Sequence, residues 1–362
     1  MSFSGSYHPA DVRFLLKPLA MADFVDIPEK ERLIASGQRH YSEMLSPESL
    51  PSARYLALFE QACADNLERM AADCLALAAM IAERRQGPVT LVSLARAGTP
   101  VGVILKRVLA ECFGRAASHY SVSIIRDRGI DQVALDFILA EGHAPESIVF
   151  VDGWTGKGVI GRELRSAVDA FNARRGCDID TGLYVLSDLA GSAACAASCD
   201  DYLIPSSILN ATVSGLVSRS ILNEAIGPTD FHGCVYYHQF AEHDQSRAFA
   251  DAVAARAIAQ AALPRPTPRA VDRKAAARVS QDFMRAAMRE HGVSDANLVK
   301  PGIGEATRVL LRRSPRLLIL RDAQHPAVAH LRQLAHEKQV AVAHDPGLPY
   351  HAVSLIRSGS DA

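Results

Sequence analysis

The stretch Ser147-Ile-Val-Phe-Val-Asp-Gly-Trp-Thr-Gly-Lys-Gly-Val-Ile-Gly-Arg-Glu-Leu164 gathers the residue types that hold a phosphate. Four apolar residues, Ile148 to Val151, read as a strand buried on both faces. Asp152 ends it, and Gly153, Trp154, Thr155, Gly156, Lys157 and Gly158 turn the chain into an amphipathic helix that starts at about Val159. Glycines let backbone N–H groups approach an anion closely, and a helix N-terminus favours its charge. Thr155 and Lys157 add a hydroxyl and a cation. Asp152 would repel a phosphate set against it, so its expected work is on sugar hydroxyls or a divalent cation. The combination predicts a phosphosugar ligand.

Several phosphate loops compete for this pattern. A P-loop fails, because Gly156-Lys157 is followed by Gly158 rather than Ser or Thr, and its first glycine would fall on Val151. Gly156, Gly158 and Gly161 meet the dinucleotide fingerprint, but Asp152 to Thr155 separate the strand from its first glycine. Val151 to Gly156 resembles the type I phosphoribosyltransferase loop, with Gly153 where that family has a second acid. A plain strand–helix turn is the simpler alternative.

Other strand ends carry compatible chemistry. A buried strand at Leu91 to Leu94 runs into Ala95, Arg96, Ala97, Gly98 and Thr99 before a helix starting at Pro100. This segment resembles the pyrophosphate loop of the same family, and the alternative is a turn in which Thr99 is the N-cap. At the next strand end Arg126 and Arg128 bracket Asp127, a pairing suited to bidentate phosphate recognition or simply to a solvated loop. Asn210, Thr212, Ser214 and Arg219 lie in a hydroxyl-rich segment, Ser206 to Arg219, that reads as a substrate hood or as a polar helix face.

Those loops need a scaffold. Strands at 89–94, 120–125, 148–151 and 183–186, with a further candidate at 202–204, alternate with helices at 101–112, 132–140 and 158–172. This rhythm predicts an α/β fold with a parallel sheet covered on both faces and ligands at the C-terminal strand ends. A long helix at 52–85 precedes it, and a helix at 245–262 closes it. Pro264, Pro266 and Pro268 then interrupt the chain. The expected organisation is a body of 1–262, a linker of 263–272 and a small α/β unit of 273–362. With 362 residues, 49% hydrophobic and 22% charged, the chain has the composition of a soluble globular protein. A formal net charge of -1 excludes a globally basic nucleic-acid binder but not a local patch. Seven scattered cysteines and no secretion signal predict reduced thiols and a cytoplasmic location.

The blocks Ser4-Gly-Ser-Tyr7, His40-Tyr-Ser-Glu43, Leu94 to Pro100, His119-Tyr-Ser121, Ile124 to Asp131 and Val151 to Gly158 look like the phosphoribosyltransferase-like proteins of bacterial tellurite-resistance and stress gene clusters. Some relatives carry the label of a cysteine protease, StiP. The resemblance implies a type I phosphoribosyltransferase-like sheet and a Mg²⁺-dependent enzyme acting on phosphoribosyl pyrophosphate or a ribonucleotide-like metabolite. Asp152 would then contact ribose hydroxyls or water on Mg²⁺, the 153–158 loop the 5′-phosphate, and the 95–99 segment the pyrophosphate. Arg126 and Arg128 would neutralise the leaving group, and a homo-oligomer is expected.

In the terminal unit, Lys300-Pro-Gly-Ile-Gly-Glu-Ala-Thr-Arg308 is similar to the helix-start motif of pelota and kink-turn-binding proteins. Gly302, Glu305, Thr307 and Arg308 fit it, and Gly304 stands at the asparagine position. Arg308 and Arg312 share a helix face, so structured RNA is the expected partner. Two rival readings stay open. One is a cysteine protease using Cys234, which lies between His232 and His238. The other is a non-catalytic RNA-binding regulator on a degenerate transferase scaffold.

Overall fold

The computed structural model describes residues 3–20, 24–263 and 271–357. Pro264, Pro266 and Pro268 of the expected linker lie outside the described residues. The first sheet contains β1 (Arg13–Leu15), β2 (Val89–Ala95), β3 (Ala117–Ile125), β4 (Ile148–Thr155), β5 (Leu183–Asp188) and β6 (Cys195–Ser198). These six pair in parallel in the order β1-β3-β2-β4-β5-β6, and a short Gly129–Ile130 strand pairs antiparallel with β3. The strands read as unbroken apolar runs because both faces are covered. Leu91, Val149 and Val151 face α2 (Ala53–Arg84) and α3 (Thr99–Phe113), and α6 (Ser246–Ala261) packs on those two helices. Their neighbours Val92 and Phe150 face α4 (Gln132–Ala140) and α5 (Val159–Arg175). Side chains one residue apart thus enter opposite cores. The mixed α/β class and mostly parallel central sheet agree with the sequence reading.

Some expectations do not hold. Residues 202–204 form no strand, and the sheet's last strand is instead Cys195–Ser198. The Ser206 to Arg219 segment is no helix either. It consists of short turns, Pro205–Ser207 and Ala211–Val213, with buried hydroxyls.

The second sheet holds β7 (Val299–Pro301), β8 (Pro315–Leu320), β9 (Ala341–His344) and β10 (Ala352–Ile356), in the order β7-β10-β8-β9. Helix α7 (Arg273–Glu290) leads into it, α8 (Ile303–Arg312) packs on it, and α9 (Ala329–Glu337) packs against α8 and α2. The two sheets are separate, yet their apolar side chains are continuous. Ile303, Ala306, Leu310, Leu318, Leu331 and Leu334 belong to the same buried cluster as Tyr55, Leu77 and Leu203. The terminal unit is therefore docked on the body through a shared core.

Candidate functional site

Strand β4 runs further than expected, so Asp152, Trp154 and Thr155 pair with Val185, Ser187 and Asp188 of β5 rather than turning. The turn proper is Gly156 to Gly158. Thr155 Oγ1 accepts the Gly158 amide at 3.0 Å, fixing its shape. Gly158 has a φ of 69°, and a Cβ there would lie 2.6 Å from Ser192 Oγ, so glycine is required by both backbone and space. Lys157 does not point outward. Its Nζ donates to the Ala296 carbonyl at 2.5 Å, and burial, then neighbouring Lys300, push its pKa down to about 7.

That contact reveals the main feature of the molecule: the glycine-rich turn and the pelota-like motif, 146 residues apart between Gly158 and Gly304, lie face to face. A Cβ on Gly156 would be 3.0 Å from Glu305 Cγ and 3.1 Å from the Pro301 carbonyl. A Cβ on Gly304 would be 2.5 Å from Trp154 Cε2. Gly304 thus stands where the motif has asparagine because an indole ring fills the space. The Arg308 guanidinium lies 4.3 Å above the same ring and donates to Glu305 Oε1 at 2.8 Å. Gly302 has a φ of 88° and starts α8 without a side-chain cap of its own. The cap comes from the segment that follows β6, where Asp201 Oδ1 accepts the Ile303 amide at 2.9 Å and Oδ2 the His351 amide at 2.8 Å. Thr307 is fully buried, with Oγ1 2.8 Å from both the Ile303 carbonyl and His330 Nε2. The motif face predicted to meet RNA is covered by the body of the same chain.

Between these surfaces lies a cleft of about 280 Å³ with eight cationic side chains and two carboxylates on its walls. The cations include Lys30, Arg126, Lys157, Arg219, Lys300 and Arg312, and the carboxylates are Asp152 and Glu305. Such an excess in a partly desolvated space favours an anion. The carboxylates behave oppositely. Burial pushes Asp152 up to about 6, although Arg308 pulls the other way. Burial also raises Glu305, but Arg308, Lys300 and Lys157 outweigh it and hold the group down at about 2.

The sign for Asp152 sets a test. Its folded pKa exceeds the unfolded value, so the fold binds more protons between about pH 4 and pH 6. Stability therefore falls as pH rises through that window, and a deficit on the order of 3 kcal/mol persists above it. Asp152→Asn is expected to raise Tm near pH 8 and to leave it unchanged near pH 4. A lowered Tm near pH 8 would show that the charge stabilises the fold.

The remaining predicted residues are placed as follows. Arg96 is buried and bound internally: Nη1 donates to the Val217 carbonyl at 2.6 Å and Nη2 to Glu48 Oε1 at 2.5 Å. Gly98 packs so closely that a Cβ would lie 2.6 Å from the Val151 carbonyl. Thr99 is neither N-cap nor ligand contact, since its Oγ1 is 2.8 Å from Ser121 Oγ in the core and the cap position is Gly98. Ala95 and Ala97 are half-buried. The 95–99 segment is thus held by packing and by an ion pair rather than opened to the cleft. Arg126 lines the cleft, its amide donating to Tyr41 Oη at 2.7 Å, whereas Arg128 lies 3.6 Å from Glu43 and is half exposed. Asn210 Oδ1 accepts from Arg312 Nε at 2.7 Å. Ser214 Oγ donates to the Asn210 carbonyl at 2.8 Å, and the Thr212 carbonyl accepts the Gln245 amide at 2.7 Å. Arg219 donates to the carbonyls of Tyr41 and Met44, and burial lowers its pKa to about 10. Tyr41 belongs to the His40–Glu43 block, whereas Lys30, Glu48 and Asp201 stand in no segment that the sequence marks. Only Lys30 had a readable signal, a lysine on the inward side of a short helix (Ile27–Ala35).

Mg²⁺ does not fit the cleft. Asp152 Oδ1 is taken by the Gly153 amide at 2.8 Å, Glu305 is engaged by Arg308 and Lys300, and cations surround both. Among the described residues no three His, Cys, Asp or Glu side chains gather as a metal site. Cys234 is fully buried and its thiol is pushed up to about 12 by burial, the reverse of a poised thiolate. The neighbouring His232 uses Nδ1 on Ser123 Oγ, 2.8 Å away. Among the described residues no helix is long and apolar enough to cross a membrane.

Comparison with known proteins adds to this geometry. Residues 5–254 match the family model described as tellurite-like stress resistance cysteine protease StiP, and residues 278–358 match that of the PELOTA RNA binding domain. A relative from Acinetobacter baylyi named Cysteine protease StiP is 43% identical over 372 residues, covering 98% of this chain and 94% of its own. Among solved structures, the hypoxanthine phosphoribosyltransferase of Trypanosoma cruzi is 12% identical over 34% of this chain and 68% of its own, with a TM-score of 0.26. That score is too low to carry an argument. The near-full-length relative and the family model overturn the transferase reading, since both carry the name of a cysteine protease. The PELOTA match supports RNA binding by the second unit.

Proposed function

Because the chain belongs to the StiP family of stress-resistance proteins, we propose that it is a cysteine-dependent peptide hydrolase that also binds RNA. The observation that carries this is the 43% identity to a named cysteine protease over nearly the whole of both chains. Thiol catalysis needs an ionised sulfur beside a base. Burial works against that ionisation at three of the cysteines, pushing Cys63 and Cys234 up to about 12 and Cys199 up to about 11. On this reading the first sheet keeps a phosphoribosyltransferase-like scaffold while its chemistry is different.

The test is hydrolysis of unfolded casein by the full chain, with and without structured RNA, alongside single Cys→Ser variants at all seven cysteines. Hydrolysis is expected to be blocked by iodoacetamide and lost in one variant. Activity that survives in all seven, or none under either condition, sinks the reading. The burial of Cys234 favours one alternative, an RNA-binding regulator without catalysis. It is the outcome in which RNA binds and no peptide is cut.

A further inference from the structure

We infer that the outward face of α7 is the track on which this protein holds RNA. The inference rests on the RNA reading of the second unit and says where the RNA lies. The cations first assigned to RNA are not free for it. Arg308 is stacked on Trp154 and paired with Glu305, and Arg312 is held by Asn210. An RNA-binding unit docked in this way needs another basic surface.

Helix α7 supplies one. Lys274, Arg278, Arg285 and Arg289 are all exposed, at spacings of four, seven and four residues. With 3.6 residues per turn, these four positions fall within about 60° of arc and span about 22 Å along the axis. The opposite side of the helix is its packing face: Ala287 is buried, and Phe283, Met284 and Met288 pack against the cluster of Val299, Val353 and Leu355. The stripe is therefore fixed in direction by the core beneath it. A merely solvated helix face mixes signs. Here Asp282 is the acid beside the stripe, and it pairs with Arg285 in a bridge whose partners are both largely exposed, so its hold is weak. Arg316 adds a further cation at the C-terminal end of the helix, where its Nη1 donates to the His291 carbonyl at 3.3 Å. The family match itself begins inside this helix, at residue 278. A row of cations on a rigid element suits a phosphate backbone, which is bound mainly through charge.

The test uses the full chain and a labelled RNA hairpin, titrated by anisotropy across about 50 to 200 mM salt. The variant carries Lys274→Ala, Arg278→Ala, Arg285→Ala and Arg289→Ala. Alanine keeps the helix, and an unchanged Tm confirms it. Affinity is expected to fall by about tenfold or more, and the slope of log K against log salt to flatten by about 3. A wild-type chain that binds RNA with the variant matching it in affinity and slope removes the track and leaves the RNA reading standing. A wild-type chain that binds no RNA at low salt removes both. Phosphatidylserine vesicles captured as well as RNA, and lost in the same variant, would make this a membrane-facing surface and overturn the assignment.

Discussion

Glu305→Gln is expected to destabilise the protein by about 3 kcal/mol at neutral pH, one of the two largest effects foreseen for a cleft residue. The amide keeps the shape of the side chain and removes the charge. Glu305 sits where the two halves of the chain meet, 2.8 Å from Arg308 and 3.7 Å from Lys300, with Lys157 near enough to shift its titration. Without it those cations face one another in a desolvated space, and breaking a buried pair costs more than the pair contributes. The sign follows from the depressed pKa. The contribution is present above the unfolded value near 4.5 and is lost as pH falls toward about 2. The stability gap between wild type and variant, measured by urea denaturation, should therefore narrow by pH 3. Inorganic phosphate should stabilise the variant more than the wild type, since an added anion replaces the missing one. A variant as stable as wild type at neutral pH would mean that the cations need no counter-charge from Glu305, and the account of the cleft would fail.

The α/β character was legible because the apolar runs at 89–94 and 148–151 and the helical stripe at 52–85 are strong, local signals. The glycine-rich turn was legible too, as a place where backbone comes close to something. What it approaches was not. Gly156 and Gly304 are small because of each other's surroundings, and no pattern within either segment says so. Arg96 reads from sequence as a free cation at a strand end, yet Glu48 and Val217 consume it from distant parts of the chain. Asp201 caps a helix 102 residues away, a relation no local motif encodes. Strand β10, Ala352–Ile356, is central in its sheet because it pairs with both β7 and β8, a neighbourhood that its own five residues do not state. The transferase reading failed for a different reason. A loop that can hold a phosphate does not state what reaction follows, and fold-level likeness cannot supply it.

Gly304→Leu is expected to unseat the second unit from the first. Even the first atom of the new side chain would stand 2.5 Å from Trp154 Cε2, inside any tolerable contact. The indole has little freedom to retreat, because it is 8% exposed and carries the Arg308 guanidinium on its ring. Overpacking of a well-filled contact costs about 1–3 kcal/mol, so Tm should fall clearly. The cause can be isolated by a second change: Trp154→Ala alone should destabilise by opening a void, whereas Trp154→Ala with Gly304→Leu should recover part of the loss because leucine enters the space. Two mutations that offset one another in this way report direct contact. RNA affinity gives the second readout. Lys274, Arg278, Arg285 and Arg289 are exposed in the docked form, so RNA binding should be unchanged in Gly304→Leu. An affinity increase that grows with the loss of docking would instead show that the 302–308 face competes between RNA and Trp154, and would return the RNA site to the motif.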